Sequence, residues 1–190
     1  MTSTGVPTTP APGPSVREEL AALRIDDSRS APDGYSRDFS PTWLDLDGNG
    51  SDARDDTLSA ASLGPVQRSG CEVIGGRWLS IYDGVAVTDP SGLDVDHVVA
   101  LGEAWRSGAH AWEADHRARF ANDLDDPDHL IAVTASTNRS KGDSPPDAWR
   151  PPRQDSWCRY AAAWTGIKVR WELTATTSER DALGQMLGTC

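Results

Sequence analysis

The stretch from Leu93 to Val99 alternates apolar and polar side chains, the two-residue period of a β-strand, and it carries Asp94, Asp96 and His97. On a strand, Asp94 and Asp96 share one face and His97 takes the other, unless the strand ends there. Leu130–Thr134 reads as a second, short apolar strand. Ala135–Lys141 reads as a helical turn that Gly142 ends. A strand, an insert, a second strand and a helix then bring Asp96 and His97 against Asn138, with Arg139, Lys141 and Asp143 close behind.

Those residue types match one chemistry. Phosphodiester hydrolysis needs an activated water, a charge clamp on phosphate and help for the leaving oxygen. An imidazole such as His97 takes a proton near neutral pH. Asp96 offers an anionic oxygen to a hard cation and Asn138 a neutral amide oxygen. Arg139 and Lys141 are placed to hold flanking phosphates. The competing reading is an ordinary ion pair, since an Asp-His dipeptide is common.

Composition bounds the rest. At 190 residues with eight Trp, the chain is long enough for one domain with a real core. A formal net charge of −11 argues against coating nucleic acid by bulk attraction. Residues 136–170 nevertheless hold seven Arg/Lys against three Asp, which predicts a small basic face or a solvated helix surface. Cys71, Cys158 and Cys190 lack zinc-site spacing. A terminal Cys staples a last helix well, so Cys158–Cys190 is the expected disulfide, with three unpaired thiols as the alternative. No stretch nears the roughly 20 apolar residues of a membrane-spanning helix.

Residues 1–15 are Thr/Pro-rich and predict a disordered tail ahead of a single domain over 16–190. The start has neither the basic head nor the apolar core of an export signal. It reads as a linker of the kind that follows a removed one. A secreted or extracellular location is therefore expected, with a cytoplasmic one as the alternative. Ser15 predicts a cap for a helix over Val16–Arg24. Asp45–Asp52 superficially resembles a calcium loop, but Asp56 stands where an EF-hand has Glu. Glu72–Ile74 and Trp78–Tyr82 flank Gly75-Gly76, a hairpin signal, and Val85–Thr88 predicts a further strand. Helices are predicted over Leu101–Ala109, Trp112–Asn122 and Ser156–Ile167. The last begins at Ser178, with Asp181 at capping-box spacing. Lys168–Thr174 is ambiguous. The fold class is α+β.

At this point the chain resembles a family. Asp96-His97-Val98-Val99-Ala100-Leu101 with Asn138-Arg139-Ser140-Lys141-Gly142-Asp143 is similar to the HNH endonucleases of the ββα-metal superfamily. Within it, the chain looks closest to the branch of GmrSD-type C-terminal domains and exported actinobacterial HNH proteins. Further shared features are Arg54 in Asp52–Asp56, Trp78, Tyr82-Asp83-Gly84, Glu103-Ala104-Trp105, Ser107-Gly108-Ala109 and Arg119–Leu124. The resemblance implies a ββα-metal core at about 93–143, with additional helices and a small N-terminal hairpin region. It implies His97 as general base and Asp96 and Asn138 as metal ligands. Arg54 is read as a phosphate-binding or site-organising residue, or as a partner of Asp55 or Asp56, and Glu103 as a supporting residue, a further ligand or a helix-surface charge. The middle Asn of HNH falls near Asp128-His129, where this chain has His129. Ser51 stands where exported relatives tend to carry Cys, which leaves Cys71 over.

The resulting expectation is a metal-dependent endonuclease acting on DNA, or RNA, with low sequence specificity. It would use one divalent ion, Mg²⁺ first and Mn²⁺, Ca²⁺ or Zn²⁺ as alternatives, and work as a monomer. Catalysis would fall to His97, Asn138, Arg54 and Glu103, metal binding to Asp96 and Asn138, and substrate binding to Arg54, Arg139 and Lys141. The alternatives are a non-catalytic HNH-like binding module and a calcium-stabilised domain built on Asp45–Asp52. His110, His116 and His129 are read as surface or packing residues.

Overall fold

A computed structural model describes residues 15–29, 31 and 33–190. The tail expected over residues 1–15 lies outside this range apart from Ser15. Helix α1 (Val16–Ala22) opens on a capping box between Ser15 and Glu18. It stops short of Arg24 because residues 24–26 bond instead to Ala175, Ile25 forming a parallel bridge with it. Helix α2 (Ala53–Ala61) is capped by Asp52, whose carboxylate accepts from Asp55 N at 2.9 Å.

The expected pairing across Gly75-Gly76 is not formed. Strand β1 (Gln67–Ser69) pairs with β2 (Glu72–Gly75) instead, around Gly70 at φ +62°. Gly76 serves a different end: a Cβ there would lie 2.6 Å from the Trp78 ring. The missing side chain lets Trp78 fold into the core, where its Nε1 donates to Leu58 O at 2.7 Å. Strand β3 (Trp78–Leu79) pairs with β4 (Ala86–Val87) across the Asp83-Gly84 turn.

Strand β5 (Leu93–His97) and strand β6 (Leu130–Thr134) are antiparallel in unbroken register, from Leu93 opposite Thr134 to His97 opposite Leu130. Directly opposed residues share a face. Leu93 and Val95 therefore join Leu130 and Ala132 in one core with Leu58, Val73 and Trp78. On the other face, Ile131 and Val133 enter the larger core with Tyr82, Tyr160 and Trp164. The two acids stand on that second face, as the alternation predicts.

Between these strands lie α3 (Leu101–Arg106) and α4 (Ala114–Ala121), both shorter than expected. Gly108, at φ +126°, turns the chain after α3, a conformation open to glycine at little cost. Strand β6 runs straight into α5 (Ala135–Lys141), which ends at Gly142 with φ +54°. Helix α6 (Trp157–Arg170) absorbs part of the ambiguous stretch. Helix α7 (Thr177–Leu187) starts one residue early because its capping box is Thr176 with Glu179, not Ser178 with Asp181. A disulfide joins Cys158 to Cys190 with Cα atoms 5.3 Å apart, and Cys71 is free and exposed. Among the described residues no helix is long and apolar enough to cross a membrane.

Candidate active site

Among the described strands β5 pairs only with β6, so its other edge is open. Asp94, Val95, Asp96 and His97 all line a cleft of about 420 Å³ along that edge. Asn138, Arg139, Gly142 and Asp143 close one side from α5 and its end. Ala100 and Leu101 contribute from the start of α3. Arg37, Thr42, Trp43 and Arg54 close the rest. Sequence reasoning placed Asp96, His97, Asn138, Arg54 and Arg139 together, and the fold brings those five to one cleft.

His97 is held at one nitrogen. Its Nε2 lies 2.8 Å from Ala121 O, and a carbonyl only accepts, so Nε2 carries the proton. Nδ1 is then the basic nitrogen. Burial pushes the ring's pKa down to about 4, and the nearby charges of Lys141 and Arg37 add to this against the pull of the Ala121 carbonyl. The ring is neutral at pH 7.

Asp96 forms the floor. Its Oδ1 accepts from Lys141 Nζ at 2.7 Å and its Oδ2 from the Tyr82 hydroxyl at 2.6 Å. Burial raises its pKa, while Lys141 and Tyr82 oppose the rise. Asp94 is more open. Asn138 Nδ2 approaches its Oδ2 at 3.2 Å and Arg139 Nε at 3.5 Å. Helix α5 is anchored at its start, where Asp83 accepts from the Thr134 and Thr137 hydroxyls. At its far end Asp143 overlies Gly102: a Cβ on Gly102 would sit 2.3 Å from the Asp143 carboxylate. This close approach requires glycine.

Two expected site residues stand elsewhere. Lys141 is fully buried, donating to Asp96 and to His97 O at 2.8 Å, so its ammonium does not face substrate. Glu103 is also fully buried, away from the cleft. Its carboxylate takes Lys168 at 2.9 Å, Arg29 at 2.6 Å and the Ser107 hydroxyl at 2.8 Å. Burial would raise its pKa, but Lys168 and Arg29 outweigh that and hold it low. Lys168 also meets the buried Glu179 at 2.6 Å. The basic run over 136–170 is correspondingly not a basic face: only Arg139 from it lines the cleft. Arg153 pairs with Asp155, Arg159 with Asp128 and Arg170 with Asp123.

His129 is buried behind His97, the rings 6.3 Å apart and edge-to-face. The loop contacts in this region are made by Asn122. That side chain accepts from Leu44 N and donates to Pro41 O and Ala118 O, each at 2.8 Å. It thereby fixes the turn that presents Ala121 O to His97. The signal was present in the Arg119–Leu124 block, but nothing in that block says which loop its Asn reaches.

The donor set tells which cation fits. Asp94, Asp96 and Asn138 offer oxygen only, once the Asn138 amide turns over to present Oδ1. Among the described residues no three His, Cys, Asp or Glu side chains gather as a metal cage. Oxygen donors of this kind suit hard cations rather than soft ones, and both Asp96 oxygens are also engaged by Lys141 and Tyr82.

The site is thus an antiparallel strand pair running into a short helix of an α+β domain, with a tethered imidazole and oxygen donors along its edge. The chain belongs to the family "GmrSD restriction endonucleases, C-terminal domain", whose model matches residues 52–186. It is also similar to an uncharacterized secreted protein of Arthroderma benhamiae, 40% identical over 186 residues, spanning 97% of this chain and 90% of that protein. No solved structure matches.

Proposed function

We propose that this chain is a metal-dependent endonuclease that hydrolyses phosphodiester bonds in DNA with low sequence specificity, His97 acting as general base. RNA is the alternative substrate. The observation that supports this most is the tether on His97: with Nε2 committed to Ala121 O, Nδ1 is the basic nitrogen of a cleft lined by Arg37, Arg54 and Arg139. In the reaction Nδ1 takes a proton from water as the water oxygen attacks phosphorus. The bond to the leaving oxygen breaks, and that oxygen recovers a proton from solvent. The guanidiniums of Arg37, Arg54 and Arg139 would offset the charge that builds on the phosphate. Asp96 and Asn138, joined by Asp94, would hold the divalent ion, which when bound would neutralise the leaving oxygen.

Export fits the family relative described as secreted and the Cys158–Cys190 bridge, since disulfides persist in oxidising surroundings. A monomer is the simplest working form. The test is plasmid nicking with Mg²⁺ or Mn²⁺, comparing the wild type with His97→Ala and Asn138→Ala. Removal of a general base should cost about 10²–10⁴-fold. Equal cleavage by all three proteins would sink the assignment. Metal-independent DNA binding without cleavage would favour a binding module.

A further inference from the structure

We infer that residues 37–43, which precede the family-matched region, complete this cleft, with Trp43 positioning His97 and Arg37 binding a substrate phosphate. The inference rests on the nuclease reading above. The family model matches from residue 52 onward, so it assigns these residues no role. Yet Arg37, Thr42 and Trp43 all line the cleft.

Trp43 stacks on the His97 ring with centroids 5.7 Å apart and planes inclined by 27°. It does so from a left-handed backbone, φ +59°, a conformation uncommon for a bulky side chain. Strain of this kind persists only where the surroundings over-determine it. Here they do. The Asn122 amide clamps Pro41 O and Leu44 N on either side of Trp43, and Ala53 N donates to Leu44 O at 3.2 Å. Arg117 Nε also ties Phe39 O at 2.8 Å. The same Asn122 follows Ala121, whose carbonyl holds His97 Nε2. One amide thus locks both restraints on the imidazole: the carbonyl at its edge and the indole on its face. Together they oppose the ring flip that would exchange Nδ1 and Nε2.

Arg37 is exposed, and among the described residues it has no ion-pair partner. About half of the other arginines meet a carboxylate, Arg54 and Arg139 of the same cleft among them. An unpaired guanidinium at the mouth of a cleft suits a phosphate oxygen.

The test is steady-state cleavage of a defined duplex with Mg²⁺ by wild type, His97→Ala, Trp43→Gly, Trp43→Phe and Arg37→Gln. Glycine removes the ring and relieves the backbone, so Trp43→Gly should fold. Should its melting show otherwise, Trp43→Leu, with apolar bulk but no ring face, replaces it. Expected are a kcat about tenfold or more below wild type for the ring-less variant with KM unchanged, and recovery of most of kcat in Trp43→Phe. Arg37→Gln should raise KM roughly fivefold at constant kcat. If wild type cleaves and His97→Ala does not, while both position-43 variants match wild type, the positioning role is overturned. It is equally overturned if the ring-less variant changes KM alone, or if phenylalanine fails to rescue. An unchanged KM in Arg37→Gln overturns the phosphate contact. Wild type and His97→Ala cleaving equally would instead refute the nuclease reading itself.

Discussion

Replacing Lys141 by Met separates two accounts of a residue that the sequence presents as a phosphate contact. Its Nζ is fully buried and makes two charge-assisted bonds, to Asp96 Oδ1 at 2.7 Å and His97 O at 2.8 Å. Methionine fills similar volume but leaves a buried carboxylate with only the Tyr82 hydroxyl. Breaking a buried pair from one side costs about 3–5 kcal/mol. For a domain of this size each kcal/mol lowers Tm by roughly 2–4 °C, so Tm should fall by about 6–20 °C. The loss also carries a pH signature. Without Lys141, burial raises Asp96 further, so the folded variant holds a proton that the unfolded chain releases above about pH 4. A raised folded pKa means stability present at low pH and lost as pH rises through it. The deficit should therefore be larger at pH 7 than at pH 5. Adding Asp96→Asn should recover part of it, because removing both partners costs less than removing one. Thermal melts at pH 5 and 7 of wild type, Lys141→Met and the double variant measure all of this. An unchanged Tm in Lys141→Met together with weaker DNA binding would refute the reasoning and restore the phosphate contact.

Reducing Cys158–Cys190, which closes a separation of 32 residues, should cost about 3–4 kcal/mol and lower Tm by roughly 6–16 °C in a scan with and without reductant, whereas Cys71→Ser should leave Tm unchanged. Glu103 is held below the ordinary carboxylate range, so its contribution is present above about pH 4.3 and is lost as pH falls through its folded pKa. Urea melts of Glu103→Gln should show a deficit at pH 7 that narrows below pH 4. Because burial sets the His97 pKa at about 4, the acid limb of kcat/KM should lie near pH 4. A limb near pH 6.5 in the nicking assay would mean the ring is open to solvent.

What the sequence disclosed followed from local period. Alternation placed Asp94 and Asp96 on one strand face, and the apolar run at Leu130–Thr134 supplied the partner strand. Gly142 marked the end of the helix bearing Asn138. The burial of Lys141 was not legible: three residues after Asn138, it reads as facing the same cleft, whereas its ammonium turns inward to Asp96. Charge alone suggested solvent. The β1–β2 pairing was hidden because Gly75-Gly76 carries a turn signature while its glycine is needed for Trp78 to pack. Glu103 meets Lys168 across 65 residues, a separation at which periodicity is silent. Trp43 sits in an irregular loop whose path is set by Asn122, so no local pattern points from it to His97.

The charge pattern of the folded chain reconciles a net charge of −11 with a polyanionic substrate. Lys141, Lys168, Arg29 and Arg170 are bound to carboxylates and give the surface little positive field. The cleft cations Arg37, Arg54 and Arg139 come instead from three separate stretches, two of them outside the basic run. Their shared potential therefore exists only once α2, α5 and the 37–43 segment are assembled. Three phosphate contacts would give a salt slope of only about −3 on duplex DNA, against about −10 for proteins that grip it broadly. The surrounding acidic surface repels any strand not seated in the cleft. On the proposed function, such a cleft would hold nucleic acid where it is cut and little elsewhere, and a nicked product would have little to detain it.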